Sequence, residues 1–420
     1  MNCVSASAIC AERPIGAETG PIRNEVIAGR LADCGETLRE HALLWRSVAF
    51  RERRPAWEAV LPELAAALRA LRLEQVEALH AEPHAAQAWL ARWLPLDAVA
   101  GLEAVGAWPR MALRPWPSGF ASTVPGRKWQ QIEAFLGAVP SGGQRGIDWC
   151  AGKGHLARAA CWQWRSCAFD ALERDVRLVH AGEELVQRSG VDVNLHVCDV
   201  MQTQALGWLS PQCHVLALHA CGALHQRLLQ VGVVARVAAL SCAPCCYHLT
   251  AVEAPLALSR EGVRTAPPLV AADLRTAVQE TVTAAGHARR QRRRMQQWQL
   301  GFDLLQRELR GVDDYLPLPA QPATVLQHGF AAYCRDIAAM KQLTLPGTLD
   351  FACYERAGAA RFREVSAFDL VRHRFRRLLE LWLVLDRAQF LVEAGYRVGV
   401  GTFCARELSP RNLLIDARLA

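Results

Sequence analysis

The sequence predicts an α/β fold with a parallel sheet, preceded by a helical domain and interrupted by a helical insertion. Three observations lead to this prediction. Between residues 127 and 254, short apolar segments alternate with helical segments, as in βαβ units. Before this region, leucines recur at helical spacing. After it, the strand pattern fades and a long basic helix is predicted.

Residues 1–120 are predicted to form a loose arm followed by a helical domain. Residues 1–30 show no sustained period, which is typical of an arm. One predicted helix face carries apolar residues at helical spacing, namely Leu61, Leu64, Leu68 and Leu71. The stretch RPWPSGFASTVPG then interrupts the pattern and is typical of a linker. We therefore assign this part of the chain to packing rather than to binding.

The next three parts of the chain are predicted from the change in pattern. Residues 121–254 carry five strand candidates of a Rossmann-like sheet, namely GIDWC, CAFDALE, NLHVCDV, CHVLALHAC and VAALSCA. Residues 255–365 are predicted to be a mainly helical insertion that includes the basic helix QETVTAAGHARRQRRRMQQWQLGFDLLQREL. Residues 366–420 are expected to supply the last helix and strands of the same sheet domain.

Composition limits the classes of protein that fit. Apolar residues make up 51% of the chain and charged residues 21%, an ordinary globular balance without an apolar run of membrane-spanning length. The first residues lack the basic and apolar segments of a secretion signal, so we expect a cytoplasmic location with reduced cysteines. The net charge of +7 is carried almost wholly by arginine, which fits either an RNA partner or a compositional bias.

A glycine-rich turn after the first strand predicts a cofactor site. Asp148 stands four residues before Gly152, and Gly154 follows before a predicted helix. Glycine is needed where backbone must approach a ligand or adopt positive φ. An acidic residue in this position is the arrangement of S-adenosylmethionine (SAM) methyltransferases, where it lies near the cationic methionine end. Cys150 occupies the position at which many methyltransferases have a first glycine.

Acidic residues at the next two strand ends extend this prediction. Glu173 follows Gly154 by nineteen residues, where a Rossmann-type site places a carboxylate on the ribose hydroxyls. Asp170 is the alternative, three residues earlier. Asp199 and the adjacent Val200 end the third strand, where the adenine amino group is expected.

An NAD-dependent oxidoreductase is the competing interpretation. The pattern Gly152-x-Gly154-x-x-Ala157 fits the dinucleotide fingerprint, and Glu173 lies at a suitable distance. Asp148 ahead of the turn argues against it. The cysteine-rich ends of the later strands also differ from a hydride-transfer site.

The segments HACG and APCCYH follow the fourth and fifth strands and are predicted to face the same site. Three interpretations stay open: a metal or iron–sulfur site, a catalytic thiolate, and a pocket wall in which Tyr247 stacks on the methyl acceptor. We favour the wall and expect no stoichiometric metal. The metal interpretation would use Cys242, Cys245, Cys246 and His248, with Cys221 as a further ligand. The candidate catalytic residues are His219, Cys245, Tyr247 and His248.

These motifs together resemble a group of class I methyltransferases. DWCAGKGHL, ALHACGALH and APCCYHL, with a terminal LDR and SPRN pair, are similar to the "ribosomal RNA adenine dimethylase domain-containing" methyltransferase-like proteins. The methyltransferase domain of the glutathione S-transferase C-terminal-domain-containing protein is similar as well. The resemblance implies a SAM cofactor but no particular acceptor.

The functional prediction is a SAM-dependent methyltransferase that acts on RNA or a translation-related protein. A basic block next to Trp298 fits a phosphate-binding surface, although such a run is also typical of a solvated helix face. A ribosome-related substrate and no membrane partner are expected. A non-catalytic binding module that keeps the fold is the other alternative.

Overall fold

The computed structural model describes residues 20–94, 96–165, 167–250, 256–279 and 286–420. Within these ranges the helices before the sheet are α1 Asn24–Glu40, α2 Ala42–Arg46, α3 Pro62–Ala70, α4 Leu73–Ala81, α5 Pro83–Leu90, α6 Asp97–Glu103 and α7 Gly126–Ala138. The helices between the parallel strands are α8 His155–Gln163, α9 Val176–Ser189 and α10 Ala223–Val234. The later helices are α11 Arg260–Arg264, α12 Leu274–Val278, α13 Gly286–Arg310, α14 Phe330–Met340, α15 Phe351–His373 and α16 Arg376–Glu393.

One sheet contains all the strands that the described residues form. These are β1 Ile22–Arg23, β2 Arg145–Trp149, β3 Ala168–Glu173, β4 Val193–Val197, β5 Cys213–Cys221, β6 Ala239–Cys245, β7 Tyr396–Thr402 and β8 Leu413–Leu419. Their order is β1-β7-β8-β6-β5-β2-β3-β4. Strands β2 to β6 are parallel to one another, whereas β8 runs antiparallel to β6 and β7. The predicted α/β fold with a Rossmann-like sheet is therefore confirmed.

Two apolar layers bury the faces of this sheet, because its parallel strands carry apolar residues on both sides. On one face Phe169 and Leu216 pack with residues of α7 and α8 such as Phe135. On the other face Val215 packs with residues of α10 and α16 such as Trp382. Strand β6 is buried along its whole length, as a central strand requires.

Helices α1 to α6 contribute to the second of these layers. Helix α1 packs against α16, and β1 pairs with β7 at the edge of the sheet. Leu31 of α1 and Leu64 of α3 belong to the same buried cluster as Val215 of β5. Residues 1–19 of the predicted arm lie outside the described residues, and α1 begins within the remainder of that arm.

The helical insertion builds a smaller core of its own. Trp298 and Phe302 of α13 pack with Phe330 and Tyr333 of α14. The predicted basic helix begins at Gly286 in the structure, and its preceding residues 280–285 lie outside the described residues. The part of the chain predicted to supply the last helix, from residue 366 onward, contains the end of α15 at His373 and all of α16 from Arg376.

Strand β8 is the last strand in the sequence, but it does not lie at an edge of the sheet. It lies between β6 and β7, so its backbone is paired on both sides. Leu414 and Ile415 are correspondingly buried at 0% and 1% exposure. Among the described residues, no helix is long and apolar enough to cross a membrane.

Candidate active site

The site lies where the strand order reverses. The chain moves from β2 outward to β3 and β4, then returns to β5 on the other side of β2. Loops at the carboxyl ends of two strands that diverge in this way leave a crevice between them, where α/β proteins bind ligands. The glycine turn after β2 and the HACG segment at the end of β5 flank this crevice.

Left-handed backbone shapes the turn after β2. Cys150, Gly152 and Gly154 have φ values of 63°, 61° and 67°. This conformation costs a non-glycine residue about 1–2 kcal/mol, so Cys150 is held there by its surroundings. A side chain added at Gly152 would meet nothing within 4 Å, so the turn borders open space.

Asp148 connects β2 to the helix that follows the turn. Its carboxylate accepts a hydrogen bond from the backbone N–H of Ala157 at 3.0 Å, in the first turn of α8. Asp148 is only 2% exposed. Burial raises the pKa of Asp148 to about 7, against the opposing effects of the Ala157 hydrogen bond and the positive charge of Lys128. A cationic ligand group beside this carboxyl would favour its charged form.

Glu173 and Asp170 lie in different surroundings. The Glu173 carboxylate accepts hydrogen bonds from the backbone N–H groups of Gly152 at 2.9 Å and Asp175 at 3.0 Å, so it reaches the glycine turn. Asp170 is buried, forms an ion pair with Arg145 and is hydrogen-bonded to His196 instead. Its hydrogen-bond partners are therefore side chains of neighbouring strands rather than the backbone of the glycine turn.

Asp199 and Val200 follow β4 at the same edge of the sheet. The Asp199 side chain accepts a hydrogen bond from the backbone N–H of Met201 at 3.0 Å, which orders this loop. Val200 is buried at 3% exposure and belongs to the apolar layer beneath the loop. Asp199 is close enough to contribute to the raised pKa of Cys150, after the larger effects of burial, Glu173 and Asp148.

His219 lies at the end of β5, beside the crevice. It has a left-handed backbone conformation and contacts helix α7, which the sequence analysis did not associate with the site. Its φ is 72°, and its Nε2 atom lies 2.7 Å from Oε1 of Gln131 in α7. Burial, followed by the charge of Lys128, lowers the pKa of His219. Lys128 and Gln131 lie one helical turn apart on α7. The sequence analysis predicted a role for neither residue. Their spacing on one face of the helix that precedes β2 is the feature that could have indicated them.

The structure brings three thiols together at the ends of β5 and β6. Ligand atoms of Cys221, Cys245 and Cys246 lie within 4.8 Å of one another. Cys246 has a φ of 49°, a further left-handed residue at this edge. Cys242 is fully buried within β6 and is not a member of this group. His248 is not a member either, and its Nδ1 atom is buried without a hydrogen-bond partner among the described residues.

Tyr247 corrects the prediction of a stacking face. Its side chain is 0% exposed, and its hydroxyl donates to the carbonyl of Pro244 at 3.3 Å. The ring lies edge-on to His225 and beneath the guanidinium of Arg387. A ring packed on all sides in this way offers no face to an acceptor, so Tyr247 belongs to the core.

The LDR and SPRN motifs near the end of the sequence form hydrogen bonds with other parts of the chain. Asp386 of LDR accepts hydrogen bonds from the backbone N–H groups of Leu258 and Ser259, while Arg387 donates to the carbonyl of Leu256. Asn412 of SPRN donates to the carbonyl of Cys404 at 2.8 Å. Arg411 donates to the carbonyl of Val278 in α12. Both motifs therefore tie separate parts of the chain to the sheet domain.

Comparison with models of protein families gives a match for the sheet domain. Residues 127–253 match a family model described as a methyltransferase domain. Among curated protein sequences, none matches the chain. Together, the sheet order and the family match identify a Rossmann-like methyltransferase domain in this part of the chain.

Comparison with solved structures finds, among others, three proteins to which parts of the chain are similar. TYW2 of M. jannaschii in complex with AdoMet is 11% identical over 29% of this chain and 52% of its own, with a TM-score of 0.24. A fibrillarin/Nop5p complex is 14% identical over 27% and 58%, with a TM-score of 0.24. Coclaurine N-methyltransferase bound to N-methylheliamine and SAH is 13% identical over 44% and 62%, also at 0.24. The chain thus spans between half and two thirds of each of these proteins.

Proposed function

We propose that this protein transfers the methyl group of SAM to RNA. The observation that carries the cofactor assignment is the convergence of Asp148, Gly152 and Glu173 at the carboxyl ends of neighbouring strands. Asp148 would face the ammonium group of the cofactor, and Glu173 would accept hydrogen bonds from the ribose hydroxyls. Asp199, with Val200 beside it, would meet the adenine ring.

The arrangement suits a transfer that depends on positioning. Bound SAM would supply an activated methyl group on a sulfonium, and transfer requires an acceptor held in line at close range. Cys150 and His219 border the crevice where that acceptor would lie. Because burial lowers the pKa of His219, the imidazole is neutral and suited to take a proton from the acceptor. Cys245 and His248, at the same edge of the sheet, stay candidate catalytic residues.

A groove in the insertion supports RNA as the acceptor. It has a volume of 520 Å³ and lies between α13 and α15, with the lining arginines Arg290, Arg293, Arg294 and Arg356. The guanidinium of Arg294 lies 5.2 Å from the ring centre of Trp298, which holds this basic surface against a rigid core. Guanidinium groups in such an array suit the phosphates of a nucleic acid.

Calorimetry with SAM and with NAD tests the cofactor. We expect one SAM per chain and no heat from NAD. Binding of NAD in preference to SAM would favour the oxidoreductase interpretation. SAM binding without methyl transfer to any RNA or protein fraction would favour the non-catalytic binding module.

A labelled-methyl assay tests the acceptor. RNA and protein fractions from a strain that lacks this protein are incubated with purified enzyme and labelled SAM, and we expect label in RNA. Label confined to protein would contradict the RNA proposal and favour a translation-related protein. The resemblance to the ribosomal RNA adenine dimethylase domain-containing group is part of this proposal and would gain support from label in ribosomal RNA.

The arginine groove can be tested separately through the salt dependence of RNA binding. Replacing Arg290, Arg294 and Arg356 by glutamine should reduce the slope of log K against log salt by about 2, since each phosphate contact on a single strand contributes about 0.7. Arg264→Gln in α11 is the control, because this arginine is exposed and paired locally with Glu261. An equal loss of slope in the control variant would argue against the groove.

A further inference from the structure

We propose that the thiols of Cys221, Cys245 and Cys246 bind one zinc ion. This departs from our sequence-based expectation of no metal. The metal interpretation considered from the sequence used Cys242, Cys245, Cys246 and His248, with Cys221 as a further ligand. The structure brings together Cys221, Cys245 and Cys246 from that set. The inference is independent of the proposed methyl transfer, because it concerns only what these thiols coordinate.

The geometry of the three sulfur atoms fits a tetrahedral metal. Zinc–sulfur bonds of about 2.3 Å at tetrahedral angles place two sulfur ligands about 3.8 Å apart. The Sγ atoms of Cys221 and Cys245 are 3.4 Å apart, and all three ligand atoms lie within 4.8 Å of one another. Small side-chain rotations therefore suffice to bring the three sulfur atoms to one metal ion.

The fold holds these residues together through the backbone rather than through a flexible loop. Cys221 and Cys245 end neighbouring parallel strands and are paired in register after a shift that follows Leu218. The backbone N–H of Gly222 donates to the carbonyl of Cys245 at 3.0 Å. Cys246 then adopts a left-handed conformation with a φ of 49°. That conformation costs about 1–2 kcal/mol, and it is accounted for if the third thiol is needed beside the other two.

The chemistry of the ligands suits a metal ion. Thiolate sulfur is a ligand that zinc binds well, and cysteine releases its proton when the metal binds. Three protein ligands leave a fourth position for water.

Elemental analysis and cysteine variants test the site. Protein prepared without a metal-binding tag in zinc-supplemented medium should contain about one zinc per chain. Cys221→Ser and Cys246→Ser should each reduce this to below about 0.2 per chain, since two thiolates bind zinc far more weakly than three. Cys242→Ser is the matched control. Its thiol is buried three residues before Cys245 on the same strand but is not in the cluster, so zinc should be retained.

Cobalt titration of the unaltered protein keeps the proposal testable if the variants do not fold. After chelation under reducing conditions, one equivalent of Co²⁺ should produce the near-ultraviolet thiolate-to-cobalt charge-transfer band and then saturate. No thiolate band, with the reduced thiols accounted for by chemical titration, would overturn the proposal. So would zinc loss in folded Cys242→Ser together with retention in Cys221→Ser. SAM binding is measured in parallel, so failure of the cofactor assignment is seen separately.

Discussion

Replacing Glu173 by alanine should weaken SAM binding strongly, with a smaller loss of stability from the two backbone N–H groups that lose their acceptor. The carboxylate lies at the end of β3 and already accepts the Gly152 N–H at 2.9 Å, so it is in place for the ribose hydroxyls. Hydrogen bonds to a charged group contribute about 1.5–3 kcal/mol each. Loss of one such bond corresponds to a rise in Kd of about 10- to 150-fold.

Asp170 supplies the matched control for this prediction. Asp170→Asn removes the ion pair with Arg145 and alters the hydrogen bond with His196. Breaking a buried ion pair is strongly destabilising. Because the Arg145 side chain is 46% exposed, we expect a smaller loss of about 1–3 kcal/mol in the free energy of unfolding. The SAM Kd should stay within about twofold, because the pair lies within the sheet and away from the turn.

Isothermal titration calorimetry and thermal unfolding on both variants measure the two effects separately. We expect Glu173→Ala to change Kd and Asp170→Asn to change Tm. Glu173→Gln should fall between Glu173→Ala and the unaltered protein, because the amide oxygen still accepts a hydrogen bond without the charge. The opposite pattern, with affinity lost at Asp170 and kept at Glu173, would refute the assignment of the ribose ligand.

Three further predictions follow from the same region. Burial raises the pKa of Asp148 to about 7. The contribution of this carboxyl to the free energy of unfolding is therefore fully present below its unfolded pKa, and it is lost as the pH rises from there to about 7. SAM affinity, measured by calorimetry, should instead rise by up to about tenfold between about pH 6 and 8. In Asp148→Asn the affinity should not depend on pH over this range. A pH dependence that persists in the variant would contradict the role of this carboxyl. Gly152→Val should weaken SAM binding by more than about tenfold, whereas Gly190→Val, at the same φ of 61° and also bordering open space, should show only the backbone strain in its Tm. Tyr247→Ala should lower the free energy of unfolding by about 3–5 kcal/mol, because it empties a core position; an unchanged Tm with lost turnover would restore the role at the acceptor.

Local patterns predicted the parts of this protein that depend on short stretches of chain. Apolar segments alternating with helices predicted five parallel strands, and the acidic and glycine spacing predicted which strand ends carry Asp148 and Glu173. Such features repeat with the periods of strands and helices, so one sequence reveals them. The position of β8 between β6 and β7 was not predicted, since strand order depends on which edges meet in space.

Only the tertiary structure decided which side chains lie in contact with one another. Tyr247 and Cys246 are adjacent in sequence, yet one is fully buried in the core and the other reaches the thiol cluster. Gln131 meets His219 from a helix 88 residues away, a contact that no local spacing encodes. Cys221 lies in the cluster and Cys242 does not, because pairing between neighbouring strands sets the register of their ends. Patterns along the chain therefore predict elements and their ends, and packing between elements decides the chemistry that those ends can form.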